Sequence, residues 1–227
     1  MKKAKVMYKG WVIEEVDLDT IISISESSAK IIDSEGREFL SDSGLPVHAH
    51  DFANDRWSIR RFNITLAFLE KHIPGGSTIL DLGTVNGLGN FLASKGYKVT
   101  NTQGEDFDYI RPLDLWPYGR HDAITAFEIF EHLIDPFCLL RSLPDRRLVA
   151  SVPLRLWFTP AYRGRDGNLA GRHYHEFEDW QFLWLLDKAG WRVVDSIKIT
   201  SPSFTLGLRT LLRWATPRYL FVYAEKK

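Results

Sequence analysis

The stretch from residue 78 to residue 94 constrains the fold more than any other part of the 227-residue chain. A short apolar run, residues 78–82, leads into Gly83, and Gly87 and Gly89 precede a helical pattern. A short apolar run followed by glycines is typical of a buried strand that turns sharply into a helix. The glycines allow a ligand to approach the backbone, and the helix start offers N–H groups that lack intrahelical partners. We therefore predict a strand–turn–helix unit that binds a ligand.

Strand-like and helix-like segments alternate through the rest of the chain. Such alternation predicts a mainly parallel sheet covered by helices, and ligands of these sheets bind at the carboxyl ends of the strands. The predicted fold is α/β, with a doubly wound, mostly parallel sheet and one antiparallel strand near the C-terminus. The predicted strands are residues 78–82, 98–102, 123–127, 148–152, 192–199 and 219–224, and the predicted helices are residues 57–72, 87–94, 136–143 and 178–189.

The ordered segments of residues 57–227 resemble the class I methyltransferases that use S-adenosylmethionine (SAM). Residues 79–91 resemble their motif I, Asp-x-Gly-x-Gly-x-Gly. Residues 128–136 resemble the Glu-x-x-Glu-His-x-x-Asp-Pro loop that follows the fourth strand, including the Glu-x-x-Glu-His motif of small-molecule O-methyltransferases. The resemblance implies a seven-stranded sheet, SAM as the cofactor and methyl transfer as the activity.

The resemblance also implies a set of cofactor-binding residues. Gln103 would face the ribose, Asp114 and Leu115 would approach the adenine, and Glu128 would close the pocket. The whole implied set is Asp81, Gly83, Thr84, Val85, Gly87, Gln103, Asp114, Leu115, Phe127 and Glu128.

Two residues depart from the pattern of the family. Val85 replaces the middle glycine of motif I, and Gln103 replaces the acid that accepts hydrogen bonds from the ribose hydroxyls. Glutamine can accept one bond but carries no charge. A hydrogen bond to a charged group contributes about 1.5–3 kcal/mol, which corresponds to one or two decades of affinity. These departures support an alternative function, that of a non-catalytic, methyltransferase-like interaction protein that has lost SAM binding.

Glu128, Glu131 and His132 have the spacing of one face of a helical turn. An imidazole has a suitable pKa for accepting a hydroxyl proton, so we predict His132 or His175 as the general base, with Glu131 beside it. Two carboxylates and an imidazole can also bind a divalent metal. Small-RNA 2′-O-methyltransferases look similar here, so a metal-assisted enzyme of that kind is a further alternative. Its ligands would be Glu128, Glu131, His132 and His175, although we expect no divalent metal.

Composition limits the acceptor and the location. The chain has 29 basic and 29 acidic residues, which removes the general electrostatic argument for nucleic acid. What the family resemblance then implies is O-methylation of a small molecule, a sugar or a lipid precursor. No apolar run reaches membrane-spanning length, and the N-terminus lacks the apolar core of a signal peptide. These features predict a cytoplasmic protein without a membrane span.

The predicted organisation has three parts. Residues 1–45 contain short β-prone runs separated by turn residues, namely residues 11–16, 21–25, 29–33 and 38–40, and would form a β-meander extension. Residues 46–56 would be a linker or lid, and residues 57–227 would be the methyltransferase-like domain. The extension could cap the acceptor site or form a homodimer contact.

Overall fold

The computed structural model describes residues 3–8, 11–17, 30–33, 38–39, 56–109, 117–144, 146–159, 173–201 and 208–227. The chain divides into two compact units. The first unit contains Met1–Gly76 and Gly83–Gly104, and the second contains Ser77–Leu82 and Glu105–Lys227.

The described residues contain ten strands and five α-helices. The strands are β1 (Lys3–Tyr8), β2 (Trp11–Asp17), β3 (Lys30–Asp33), β4 (Glu38–Phe39), β5 (Thr78–Asp81), β6 (Lys98–Asn101), β7 (Ala123–Phe127), β8 (Arg147–Pro153), β9 (Trp191–Thr200) and β10 (Pro217–Lys226). The helices are α1 (Arg56–Glu70), α2 (Gly87–Ser94), α3 (Pro136–Ser142), α4 (Asp179–Lys188) and α5 (Leu208–Ala215).

The N-terminal strands of the first unit form an antiparallel sheet in the order β2-β1-β3-β4. Strand β3 pairs with β1 rather than with β2, so the order is not the consecutive order of a meander. The sequence analysis did not predict β1, and the predicted run at residues 21–25 lies outside the described residues.

Helices α1 and α2 of the first unit pack through aromatic and aliphatic side chains. The rings of Phe62 and Phe91 lie 5.6 Å apart, and Leu69 and Leu92 are fully buried. The hydroxyl of Tyr97, just before β6, donates to the carbonyl oxygen of Ile73 at 3.0 Å. This packing fixes the start of the glycine-containing loop relative to the helix that follows it.

The second unit is built on a sheet whose strands run in the order β5-β7-β8-β10-β9. Strands β5, β7 and β8 are parallel, and β10 is antiparallel to both β8 and β9. Among the described residues, the α/β prediction with a C-terminal antiparallel strand is confirmed, whereas the predicted number of seven strands is not confirmed.

The register of the parallel strands aligns their carboxyl ends. Asp81 pairs with Thr125, and Phe127 pairs with Ser151 two residues further along β7. The residues that follow these strands are therefore placed at one edge of the sheet, which is where the sequence analysis expected a ligand to bind.

The core of the second unit lies between the sheet and helices α3 and α4. Strands β7 and β8 are buried along most of their length, as expected for strands covered on both faces. Phe182 and Leu186 of α4 are fully buried, and the indole N–H of Trp191 donates to the carbonyl oxygen of Leu140 at 2.9 Å. No described helix combines the length and apolar character needed to cross a bilayer.

Candidate functional site

The loop that follows β5 is held by Gly83 and Thr102. Gly83 has φ +115°, a conformation that residues with a Cβ rarely adopt. Its N–H donates to Oγ1 of Thr102 at 2.7 Å, and the Thr102 hydroxyl lies 3.2 Å from the Gly83 carbonyl oxygen and can donate to it. Because Thr102 is fully buried, this pair of contacts fixes the turn to a rigid part of the first unit.

Asn86 links the loop to the start of α2. Its side-chain amide donates to the Thr84 carbonyl oxygen at 3.1 Å, and its Oδ1 accepts from the Gly89 N–H at 2.8 Å. Asn86 is thus the N-cap of α2, and Gly87 is the first helical residue. An α-helix leaves its first four N–H groups without intrahelical partners. The Asn86 side chain accepts a hydrogen bond from the Gly89 N–H group, and the start of the helix lies directly after the loop.

The two departures from the family pattern differ in their structural effect. Among the described residues, Glu128 is the only non-glycine residue with a positive φ, so Val85 has a backbone conformation open to any L-amino acid. Replacement of the middle glycine therefore introduces no backbone strain at this position. Gln103 is exposed directly after the buried Thr102, and Gly104 follows it with φ +90°.

Asp81, the acid of motif I, is buried at the end of β5 in the second unit. Its Oδ1 accepts the Thr125 hydroxyl at 2.5 Å, and the Leu82 N–H donates to the Thr125 carbonyl oxygen at 2.8 Å. These bonds fix the carboxyl end of β5 against β7. Asp114 and Leu115 lie outside the described residues.

Glu128 follows β7 in a strained conformation. Its φ is +56°, and its N–H donates to the Ser151 carbonyl oxygen at 2.9 Å. The left-handed region costs an L-residue about 1–2 kcal/mol. Strain of this kind is often found at ligand sites, where the surrounding structure enforces it.

The predicted helical turn over Glu128, Glu131 and His132 forms only in part. A 3₁₀ helix covers Phe130–His132, and Glu128 lies outside it because its positive φ breaks the helical path. Glu131 is fully buried, whereas His132 is partly exposed.

Glu131, His132 and His173 form a cluster in the second unit, here called the Glu–His–His cluster. Each offers one potential ligand atom, and these atoms lie within 4.8 Å of one another. Nε2 of His132 is 3.8 Å from Oε1 of Glu131, and the rings of His132 and His173 meet edge to face at 4.7 Å. The Glu131 carbonyl oxygen accepts the N–H groups of Tyr174 and His175 at 2.7 and 3.2 Å, which holds the segment that carries His173.

Burial sets the protonation of this cluster. Desolvation, and then the negative charge of Glu128, raises the pKa of the Glu131 carboxyl well above its ordinary value. Desolvation, and then the charges of His132 and Arg218, lowers the pKa of His173 to about 4. His173 is therefore a neutral imidazole near neutral pH, and one of its two ring nitrogens carries a lone pair.

His175, which the sequence analysis placed with Glu131 and His132, lies elsewhere. Its Nε2 is 3.3 Å from the Ile134 carbonyl oxygen, and its ring stacks on Phe177 at a centroid distance of 5.4 Å. The structure brings His173 to the cluster in its place. The sequence analysis named His175 alone. In an extended segment, residues two apart share a face, so the sequence His-Tyr-His at residues 173–175 does not distinguish the two histidines.

The chain matches no family model and no curated protein, whereas solved structures do resemble it. One is the 1,6-didemethyltoxoflavin-N1-methyltransferase of Burkholderia thailandensis, with bound 1,6-didemethyltoxoflavin and S-adenosylhomocysteine; it is 19% identical, with 75% of this chain and 84% of that chain covered and a TM-score of 0.51. Another is a methyltransferase structure in complex with the Trm112 activator of Haloferax volcanii; it is 14% identical, with 77% and 93% covered and a TM-score of 0.51. The fold is therefore that of the class I SAM-dependent methyltransferases.

Proposed function

We propose that the protein is a SAM-dependent methyltransferase that methylates an oxygen of a small molecule, a sugar or a lipid precursor. The observation that carries the proposal is the loop of residues 83–86. Its turn depends on the left-handed Gly83, the buried Thr102 holds it, and Asn86 caps the helix that follows. A fixed glycine turn before a helix start is the arrangement with which α/β folds bind nucleotide-like ligands.

In this proposal, the cofactor is bound by the residues that the family resemblance implies. Gly83, Thr84, Val85 and Gly87 would provide backbone contacts around its polar groups, and Gln103 would accept one ribose hydroxyl. The remaining members of the set are Asp81, Asp114, Leu115, Phe127 and Glu128. The strain at Glu128 supports its assignment, since a non-glycine residue held at positive φ is often a ligand-site residue.

The reaction is an in-line displacement. The acceptor oxygen attacks the methyl carbon of SAM, the bond from that carbon to the sulfonium sulfur breaks, and S-adenosylhomocysteine leaves with the electron pair. The acceptor hydroxyl loses its proton to a base, and His132 or His175 is the proposed base, with Glu131 beside His132. Most of the catalytic effect would come from holding the two reactants in line.

Thermal unfolding with and without SAM or S-adenosylhomocysteine tests the cofactor assignment. Ligand at about 100 times its dissociation constant adds about 2.7 kcal/mol, which raises the Tm of a chain of this length by roughly 5–10 °C. In Gly83→Ala, alanine would be strained at the φ of +115° that the turn requires. We therefore expect the ligand-induced shift in Tm to be lost in this variant.

Gly75→Ala is the matched control, because its Cβ would meet no atom within 4 Å and no unusual φ is required there. It should keep the full ligand-induced shift. If folded wild-type protein shows no shift at millimolar concentrations of either ligand, the proposal is wrong and the non-catalytic alternative is favoured. The acceptor class, the cytoplasmic location, the homodimer contact and the three-part division of the chain remain predictions.

A further inference from the structure

Glu131 carries a buried carboxyl group that the protein leaves unsatisfied. Its side chain is 0% exposed, and neither carboxylate oxygen accepts a hydrogen bond from any described residue. An isolated carboxylate is costly to bury, so such a group is neutralised by a proton or paired with a cation. The groups around Glu131 decide between a proton and a cation.

His132 lies close to the Glu131 carboxylate without donating a hydrogen bond to it. The His132 Nε2 atom lies 3.8 Å from Glu131 Oε1, which is too long for a hydrogen bond. Metal ions bind imidazole nitrogen and carboxylate oxygen at about 2.0–2.2 Å, so two ligands of one ion lie roughly 3–4 Å apart. The His132–Glu131 separation is of this size, and all three potential ligand atoms lie within 4.8 Å of one another.

We propose that Glu131, His132 and His173 bind a divalent transition-metal ion. Two imidazoles and one carboxylate suit Zn²⁺, Mn²⁺, Fe²⁺ or Co²⁺, whereas Mg²⁺ and Ca²⁺ prefer sets composed of oxygen atoms. Three protein ligands leave at least one coordination position open to water or to an exogenous oxygen ligand.

Backbone hydrogen bonds already hold the segments that carry these ligands close together. The Glu131 carbonyl oxygen accepts two N–H groups of the segment 174–175, so the residue that carries the carboxylate also fixes the position of His173. Arg218 is the nearby cation that would oppose metal binding, but its Nη1 donates to the Leu154 carbonyl oxygen at 2.8 Å. Glu128 adds a negative charge close enough to affect Glu131. The charges around the cluster therefore do not exclude a cation.

This inference replaces the expectation that the protein contains no divalent metal, and it changes the predicted ligand set by exchanging His175 for His173 and omitting Glu128. An imidazole that binds the ion cannot also accept the proton of the methyl acceptor, so with the ion bound His175 is the proposed base. It rests on the second unit alone. Methyl transfer is not required for it, so failure of SAM binding and failure of metal binding are separate results.

Titration of chelator-treated protein with Co²⁺ tests the proposal, because ligation by histidine nitrogen gives a visible absorption spectrum. We expect one equivalent of Co²⁺ to bind, and Zn²⁺ to displace it. Loss of a partner that merely orients a ligand costs about 10–100-fold in metal affinity. His132→Gln, His173→Gln and Glu131→Gln, which remove ligands, should therefore each weaken binding at least tenfold.

His175→Gln is the matched control, since it changes the same residue type two positions away, where the ring contacts Ile134 and Phe177, and it should leave Co²⁺ affinity unchanged. Circular dichroism confirms that each variant is folded, and the three ligand variants provide independent tests if one of them is not. The proposal is overturned if folded wild-type protein binds no Co²⁺ saturably. It is also overturned if His175→Gln abolishes binding while His173→Gln retains it.

Discussion

At the scale of single residues, the strained backbone of Glu128 gives a reversal of the usual preference for alanine over glycine. Both Glu128→Gly and Glu128→Ala lose the carboxylate, but only glycine adopts φ +56° freely. We expect the glycine variant to be the more stable of the two by about 1 kcal/mol, as measured by urea unfolding.

Ala93 provides the opposite case, because it is an exposed residue of α2. There, Ala93→Gly should lower the free energy of unfolding by about 0.5–1 kcal/mol. If Glu128→Ala proves more stable than Glu128→Gly, the positive φ is not a feature of the protein in solution. The argument that Glu128 belongs to a ligand site would then lose its structural support.

His173 makes the stability of the protein depend on pH. Its pKa is about 4 in the folded state, against an ordinary value of 6.5. Between these two values the unfolded chain binds a proton at this residue and the folded protein does not, so folding is favoured as the pH rises. Below pH 4 both states are protonated, and above pH 6.5 neither is, so the contribution is constant outside this window.

Urea unfolding of wild-type protein and His173→Gln, in buffer with a chelator, measures this contribution. The wild-type free energy of unfolding, minus that of the variant, should rise from pH 4 to pH 6.5 and then level off. Glu131 is present in both proteins, so its own raised pKa largely cancels from the difference. A flat difference across this range would show that His173 is not desolvated in the folded state.

At the scale of secondary-structure elements, β6 matters because the residue after it holds the glycine loop. Thr102→Val removes the hydroxyl that accepts from the Gly83 N–H and leaves that N–H without its partner. We expect a loss of about 1–3 kcal/mol in the free energy of unfolding, together with weaker SAM binding. Thr100→Val, an exposed position on the same strand, should change stability by less than about 0.5 kcal/mol.

The elements show which parts of a fold local sequence can predict. The bounds of α2 and β7 agree with the sequence prediction at both ends, because glycines, an N-cap and a run of buried apolar residues define them. The turn after β7 was not predictable, since a positive φ at a glutamate is imposed by surrounding structure rather than by propensity. For the same reason the Glu128–His132 segment was expected to be one helical turn and is a short 3₁₀ helix from Phe130 onward.

At the scale of the whole molecule, the alternation of segments was sufficient to predict the fold class. The pairing of strands with one another was harder to predict from the sequence. The pairing of β1 with β3, and the choice of His173 rather than His175 for the cluster, depend on contacts that no local pattern encodes. Motif I is an opposite example, because local sequence was enough there. The sequence predicts a sharp turn that needs glycine at position 83, and this residue has φ +115°.

The position of β10 between β8 and β9 also has a consequence for biosynthesis. Strand β9 is translated before β10, yet its pairing partner in the sheet is β10. A nascent chain that has emerged from the ribosome only as far as β9 therefore holds that strand without a partner, and exposes the edge of β8. Unpaired edges of this kind are prone to aggregation. Chaperones that bind extended segments would be most useful to this protein during the interval in which residues 201–226 are being synthesised.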